Sequence, residues 1–356
     1  MADWVTTLTD LPPQDPCSAA VERNTLRLER ESDNWRDATV FAARTKSADL
    51  ARRLCGPPAA FFLLGRHDLA DLVRPLLDHC HDDSDARRSV LCALAVSGAH
   101  ASDPDQLTAW SEEVARLDAV EPTGLGGLMR WLALAWRGDF PAAVELCVDA
   151  SLDPRLAHST RDMFVGIATL DHFSLTDAGS DPHGLVDRAL EVADRSDVAL
   201  HRVSCRLGAA WSFAGSDPER ALDLVARALD DISHVPALTR LTLPGSASRL
   251  LASLDPRVAA RGLLAQLEAL PDRRSFVDLI PVFYASSLLQ RVGHPNAQSA
   301  LATIRVSPVA PYLSMMDFVD LARRAATTAN PISIRQLESF VRDGLEDLAS
   351  GRSVGR

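Results

Sequence analysis

The sequence predicts an all-α fold, a right-handed superhelix (α-solenoid) of about eight helix-turn-helix units without a β-sheet. Hydrophobic residues make up 47% of the 356-residue chain but aromatic residues only 5%, and alanine and leucine supply most of the apolar content. This composition favours closely packed helices over sheets. No segment sustains the period-two alternation of a strand. A short turn that ends in Asp, His or Asn followed by proline recurs every 36 to 41 residues.

The recurrent turns mark the starts of helices. An Asp or Asn side chain caps the first turn of a helix, and proline suits the first helical position because its missing N–H leaves no donor unpaired. The earliest marker is an aspartate without a proline, and the others are prolines. In chain order the markers are Asp68, Pro104, Pro141, Pro182, Pro218, Pro256, Pro295 and Pro331.

Each unit is predicted to contain two antiparallel helices joined by a short turn. In 219–232, for example, apolar residues recur at the spacing that places them on one helical face. The first helices are expected at 85–98, 125–137, 160–175, 198–214, 238–253, 276–292 and 312–328. The second helices follow the markers at 104–117, 141–150, 182–194, 218–232, 256–270, 295–304 and 331–348.

The terminal regions differ from the repeats. Residues 1–58 begin with a proline-rich stretch and continue as a charged, helix-compatible segment, which predicts a leader followed by a helical cap. The sequence Gly56-Pro57-Pro58 breaks the helical pattern. The repeat array is therefore assigned to 59–348, and 349–356 is predicted to be a disordered tail.

Charge and composition argue against several classes of function. The formal net charge is −11, whereas binding to nucleic acid or to an anionic membrane requires clustered positive charge. No apolar run is long enough for a transmembrane helix, and the first ten residues lack the features of a signal peptide. The six cysteines form no C-x-x-C pair and are expected to be buried in a reducing cytosol. We therefore expect a cytoplasmic protein without a cofactor.

Small residues surround the turns in two units. One unit contains Ala135, Gly138-Asp139-Phe140 and Ala142-Ala143, and another contains Leu207-Gly208-Ala209-Ala210-Trp211, Pro218 and Ala221-Leu222. These units resemble a degenerate tetratricopeptide repeat, although the spacing is longer than that family's 34 residues and its full Trp/Leu-Gly/Tyr pattern is absent. By architecture the resemblance covers 60–348. The chain also resembles the helical-repeat arm of large actinobacterial regulators, without their nucleotide-binding loop or DNA-binding helix pair.

Arginines are concentrated on the predicted first helices, which usually line the concave surface in arrays of this type. A basic groove there would bind an acidic peptide or a carboxylate terminus through bidentate guanidinium contacts. The alternative is a solvated arginine face offset by neighbouring Asp and Glu side chains. The candidate groove residues are Arg130, Arg161, Arg202, Arg206, Phe213, Arg249 and Arg274.

Potential metal ligands cluster at 79–85, where histidine, cysteine and aspartate occur together. The run Asp82-Asp83-Ser84-Asp85 also resembles the acidic Mg²⁺ motif of all-α prenyl-diphosphate enzymes, but no second acidic motif or aromatic-lined cavity is evident. The other interpretation is an inter-helix loop in which Asp85 caps the next helix. The candidate ligands are His79, His81, Asp82, Asp83 and Asp85.

These observations together predict a non-catalytic scaffold or regulatory module whose concave surface binds a partner protein or peptide. Two alternatives stay open. One is an all-α metal-dependent enzyme centred on 82–85, and the other is a sensor that binds a small anionic ligand between first helices.

Overall fold

The computed structural model describes residues 15–63, 67–97, 104–119, 122–175, 180–235, 247–248, 250–268, 280–295, 297–305 and 333–351. Every regular element in these ranges is a helix, so the all-α class is confirmed. The α-helices are α1 (Ala19–Arg30), α2 (Ser32–Thr45), α3 (Ala48–Leu54), α4 (Pro57–Leu63), α5 (His67–Leu77), α6 (Ser84–Val96), α7 (Pro104–Asp118), α8 (Leu125–Trp136), α9 (Phe140–Leu152), α10 (His158–Leu175), α11 (Leu185–Arg195), α12 (Ala199–Phe213), α13 (Pro218–Asp231), α14 (Pro256–Glu268), α15 (Ile280–Arg291), α16 (Ala297–Arg305) and α17 (Ile334–Ser350). A 3-10 turn, Ile232–His234, follows α13, and residues 247–248 and 250–254 are also helical. None of the helices in the described ranges is long and apolar enough to span a membrane.

Several helices start where the Asp and Pro markers predict. Helices α7, α13 and α14 begin at their marker prolines, and α9 begins one residue before Pro141. The Asp139 carboxylate accepts a hydrogen bond from the N–H of Ala142 at 3.3 Å, and Asp217 accepts one from Arg220 at 3.1 Å. The predicted capping role of aspartate is confirmed at these two turns.

Two markers are exceptions, because α16 begins only at Ala297, two residues after Pro295, and α11 begins only at Leu185, three residues after Pro182. Gly184 precedes the helix with a φ of 61°, in the left-handed region that favours glycine. The Asp181 carboxylate reaches across this turn and accepts hydrogen bonds from the N–H groups of Leu185 at 2.7 Å and Val186 at 2.9 Å. The predicted helix start is therefore wrong by three residues. The marker Pro331 and the predicted helix at 312–328 lie outside the described residues.

Helices that are adjacent in the chain pack against one another. From α6 to α13, each helix contacts the next one, and α10 also contacts α12 directly. Gly208 permits this close approach, because a Cβ there would lie 2.8 Å from the backbone N of Leu170 in α10. At the carboxyl end, α17 packs against α14, α15 and α16.

The buried apolar side chains form three large clusters that follow the chain, at 28–133, 144–185 and 199–345. Trp35 is fully buried in the first cluster, where its Nε1 donates a hydrogen bond to the carbonyl of Leu54 at 2.9 Å. The middle cluster also contains Cys17, which comes from the amino-terminal region rather than from 144–185. The predicted leader-and-cap region therefore contributes to the packing in the middle of the chain.

Candidate functional site

The structure describes five of the seven candidate groove residues, and Arg249 and Arg274 lie outside the described residues. Arg130 is exposed on α8. Arg161 is half-buried in the first turn of α10, and its Nη2 lies 3.4 Å from Nδ1 of His158. Among the five described candidates, Arg130 therefore has the most exposed side chain.

Arg202 and Arg206 bind one carboxylate within their own hairpin. Nε and Nη2 of Arg202 donate to the two oxygens of Asp231 at 2.8 Å each, and Nη1 of Arg206 donates to Oδ2 at 2.6 Å. The hydrogen bonds from Arg202 lower the pKa of Asp231 below its ordinary value. The Cζ of Arg220 lies over the aromatic ring of Phe213, 4.1 Å from the ring centroid. The positive charge of the two arginines is therefore offset by an acid on α13.

Other hairpins carry comparable ion pairs between their two helices. Arg87 of α6 pairs with Glu113 of α7. Asp162 of α10 pairs with Arg195 of α11 at 2.6 Å. These pairs favour the interpretation in which acidic neighbours offset the arginine face.

The candidate metal ligands at 79–85 occupy the loop before α6 and its first turn. Asp83 is the N-cap of α6, where its Oδ1 accepts hydrogen bonds from Asp85 N–H at 3.1 Å and Ala86 N–H at 2.9 Å. Asp85, the cap expected from the sequence, instead forms an ion pair with Arg88 at 2.9 Å. In the part of the chain that the structure describes, no group of three or more His, Cys, Asp or Glu side chains is arranged to hold a metal ion.

The residues from Asp15 to Glu22, which we call the strap, lie against the starts of two distant helices. Asp15 accepts a hydrogen bond from the hydroxyl of Ser159 in the first turn of α10. The Sγ of Cys17 donates to the Sδ of Met163 at 3.2 Å, one turn further along α10. The strap therefore joins the amino terminus of the described chain to its middle.

Glu22 supplies the cap of α12, whose own N-cap residue, Val198, makes no side-chain hydrogen bond to the helix. The two carboxylate oxygens of Glu22 accept hydrogen bonds from the backbone N–H groups of Ala199 at 3.0 Å and Leu200 at 2.9 Å. The negative charge also interacts favourably with the helix dipole. Burial raises the pKa of Glu22, and the two N–H groups offset this only in part.

A cavity of about 10 Å³, roughly the room that one water molecule needs, lies between the strap and α12. Cys17, Glu22 and His201 are among its lining residues. The His201 side chain is 1% exposed, and its Nε2 has no hydrogen-bond partner among the described residues. Burial lowers the pKa of His201 to about 3 and raises the pKa of Cys17 to about 12.

These pKa values bear on the chemistry of the cavity. Cysteine, histidine and glutamate are the residue types of a thiol-nucleophile site, but such a site needs a lowered thiol pKa and a basic imidazole. Here both pKa values shift in the opposite direction, because burial disfavours the charged forms. The cavity therefore lacks the protonation states that a thiol-nucleophile site needs.

A second carboxylate, Asp118, caps α8 from the end of the preceding helix. It accepts hydrogen bonds from the Thr123 N–H at 2.9 Å, the Thr123 hydroxyl at 2.5 Å and the N–H groups of Gly124 and Gly126 at 3.1 Å each. A Cβ on Gly126 would lie 3.0 Å from the Cβ of Asp118, so glycine permits this approach. The glycine-rich start of α8 is therefore built around a carboxylate of the chain itself.

A third carboxylate, Asp171, joins α10 to α8. The Nε1 of Trp131 donates to Oδ2 of Asp171 at 2.7 Å. Burial raises the pKa of Asp171 to about 7, and the single hydrogen bond from Trp131 offsets this only in part. This pair was not predicted, although an indole N–H that is partly buried usually has an acceptor nearby.

Sequence reasoning also missed the strap, Glu22 and His201. The one local signal for the strap is Val198 at the start of α12, where a capping side chain is otherwise expected. This signal indicates that α12 needs a cap from elsewhere in the chain, but it does not identify the residue that supplies it.

Comparison with protein-family models, with curated proteins and with solved structures finds no match to this chain.

Proposed function

We propose that the chain is a non-catalytic helical-repeat scaffold that binds a partner protein or peptide. The observation that carries this proposal is the strap, since the starts of α10 and α12 already hold a protein segment that is 144 to 178 residues away in the sequence. Asp15 and Glu22 both contact the amino-terminal turns of these helices, which attract negative charge. A surface of this kind has the chemistry to bind an acidic segment of another protein.

The proposal includes an α-solenoid of about eight tetratricopeptide-like units with a concave binding surface. In repeat arrays each unit packs mainly against its neighbours. The sequential packing from α6 to α13 and the succession of core clusters along the chain support this arrangement. A regulatory role in the cytoplasm belongs to the same proposal.

The protonation states of the buried groups support binding rather than chemistry. All six cysteines are buried free thiols, which confirms the prediction that they are buried. Burial raises the pKa of Cys92, like that of Cys17, to about 12, so both thiols stay protonated near neutral pH. His201 stays neutral because its pKa is about 3.

Partner capture with matched surface variants tests the proposed function. Tagged wild-type protein is cross-linked in extracts of the native host, and the recovered proteins are quantified by mass spectrometry against an unrelated bait. Arg130 is exposed on first helix α8, within the proposed concave surface, so we expect Arg130→Glu to reduce partner recovery roughly tenfold, the effect of about 1.4 kcal/mol of binding free energy. Arg116→Glu on second helix α7 is the control, because Arg116 is also exposed and undergoes the same change in charge.

Two outcomes would contradict this proposal. If the wild type enriches no protein over the unrelated bait, the scaffold function is wrong. If both variants recover the same partners as the wild type, the binding surface does not include Arg130.

A further inference from the structure

We propose that the strap is a displaceable internal ligand, and that the surface beneath it binds an acidic helical segment of the partner protein. We call this surface the cap surface and define it by Ser159, Met163, Ala199, Leu200 and His201. The inference rests on the proposed function and deepens it, because it names the class of partner and a means of regulation.

The contacts of the strap define the chemistry of the partner. Asp15 binds at the start of α10 and Glu22 at the start of α12, so the ligand presents two carboxylates seven positions apart. Between them, Cys17 and Val21 are 5% and 1% exposed. A partner segment therefore needs two acids that flank small or β-branched apolar side chains, with a helical turn at the second acid.

The strap leaves one buried group of the cap surface without a partner. The Nε2 of His201 has no hydrogen-bond partner among the described residues, and it borders the cavity that Glu22 also lines. An unpaired buried polar atom costs free energy, which a hydrogen bond from a ligand would recover. A segment that contacts Nε2 and fills the cavity would bind more tightly than the strap does.

The strap can leave while the rest of α1 stays in place. The Thr25 hydroxyl donates to the carbonyl of Pro58 at 3.2 Å, and Leu28 is buried in the amino-terminal cluster. Both anchors lie after Glu22, which is in the first turn of α1. Unwinding that turn frees the N–H groups of Ala199 and Leu200 and breaks the 2.9 Å hydrogen bond from the Thr25 hydroxyl to the carbonyl of Val21, but it leaves the bond from Thr25 to Pro58 and the burial of Leu28 in place.

A peptide with the sequence of residues 15–24 serves as the probe. It carries a fluorophore at its carboxyl end, and its anisotropy is measured with the full-length wild type, Glu22→Ala and Asp33→Ala. Asp33 is exposed on α2, so Asp33→Ala matches the change in charge without touching the cap surface. We expect the peptide to bind Glu22→Ala roughly tenfold more tightly than it binds the wild type or Asp33→Ala, since loss of a helix cap costs on this scale.

A neutral peptide with Asn in place of Asp15 and Gln in place of Glu22 tests the role of the acids. It should bind Glu22→Ala roughly tenfold more weakly than the acidic peptide. Equal binding of the two peptides, or equal binding of the acidic peptide to all three proteins, overturns the inference.

Hydrogen exchange in the wild type gives a second measurement that does not depend on any variant. The amides of Ala199 and Leu200 should exchange faster than the core amides of α12 and become protected when the acidic peptide is added. Exchange of these two amides only by global unfolding overturns the inference. If a captured partner binds Glu22→Ala and wild type equally while the peptide fails to bind, the scaffold function survives and only the inference fails.

Discussion

Helices α8 and α12 are both capped by a carboxylate, buried at Asp118 and half-buried at Glu22, but the two carboxylates come from different places in the chain. Asp118 ends the helix before α8, and it accepts four hydrogen bonds from the turn and from the start of α8. Glu22 precedes Ala199 of α12 by 177 residues and accepts two hydrogen bonds. Asp118 is held in place by the hairpin of α7 and α8 to which it belongs. Glu22 belongs to the strap, which is attached to the rest of the chain through other contacts of α1.

The two caps are therefore expected to differ in how much of the fold depends on them. Loss of the Asp118 cap would disrupt the turn between α7 and α8, and with it the packing of that hairpin. Loss of the Glu22 cap would expose only the first turn of α12 and the cavity beside it. The proposed displacement of the strap is therefore expected to expose Cys17 and Val21 but to leave the helical hairpins intact.

The largest effect is expected for Asp118→Ala. The variant loses a charged acceptor and leaves the buried N–H groups of Thr123, Gly124 and Gly126 without it, so we expect a loss of about 4 kcal/mol in the free energy of unfolding. Urea denaturation measures this value, and Glu112→Ala, at an exposed position of the preceding helix α7, is the control. A decrease of less than about 1 kcal/mol in the free energy of unfolding is typical of an ordinary exposed helix cap. Such a result would show that Asp118 is no more important to the fold than a cap of that kind.

The next effect is a pH dependence that comes from Asp171. Its pKa is about 7 in the folded chain and about 3.9 in the unfolded chain, so the folded state binds the proton more tightly. The contribution of Asp171 to stability is therefore fully present below about pH 4, and it falls by roughly 1.4 kcal/mol per unit between pH 4 and 7.

Asp171→Asn should remove this slope, because asparagine does not titrate. Urea denaturation at pH 5, 6 and 7 compares the wild type with the variant. Identical pH slopes for the two proteins would show that Asp171 does not titrate in this range, and that one indole donor is enough to keep a buried carboxylate charged.

The smallest effect is expected for glycine substitutions. Gly126→Ala places a Cβ 3.0 Å from Asp118 and from Ala115, and we expect a loss of about 1 kcal/mol in the free energy of unfolding. Gly262→Ala on α14 is the matched control, because nothing lies within 4 Å of its added Cβ, and it should gain about 0.5–1 kcal/mol. Thermal denaturation of both variants shows whether each substitution raises or lowers the stability. If Gly126→Ala is stabilising, Asp118 can move away from the added Cβ without loss of its hydrogen bonds.

Much of the helical pattern was predictable because its determinants are local. Asp139 and Asp217 lie directly beside the helices that they cap, and so α9 and α13 start where expected. The start of α11 was misplaced because Asp181 caps across a turn that depends on the positive φ of Gly184. Local signals thus fix the existence of helices better than their bounds.

The contacts of the candidate site were less predictable because they depend on how the helices are arranged in space. The arginines on α12 are visible in the sequence, but their acceptor, Asp231, is 25 to 29 residues away on α13. Glu22 has the same residue type as many surface acids nearby. Only the folded chain distinguishes it, by bringing it to the start of α12.

The long separation between Glu22 and α12 also has a consequence for synthesis of the chain. A ribosome that adds 5–20 residues per second needs on the order of ten to thirty-five seconds to make the 177 residues between Glu22 and Ala199. During that interval Asp15 and Glu22 have been synthesised but α12 has not, so the two carboxylates are free to contact other basic groups or helix amino termini. When α12 is synthesised, its capping side chain is already present on the same chain, so Glu22 can bind the first turn of α12 as soon as that turn forms.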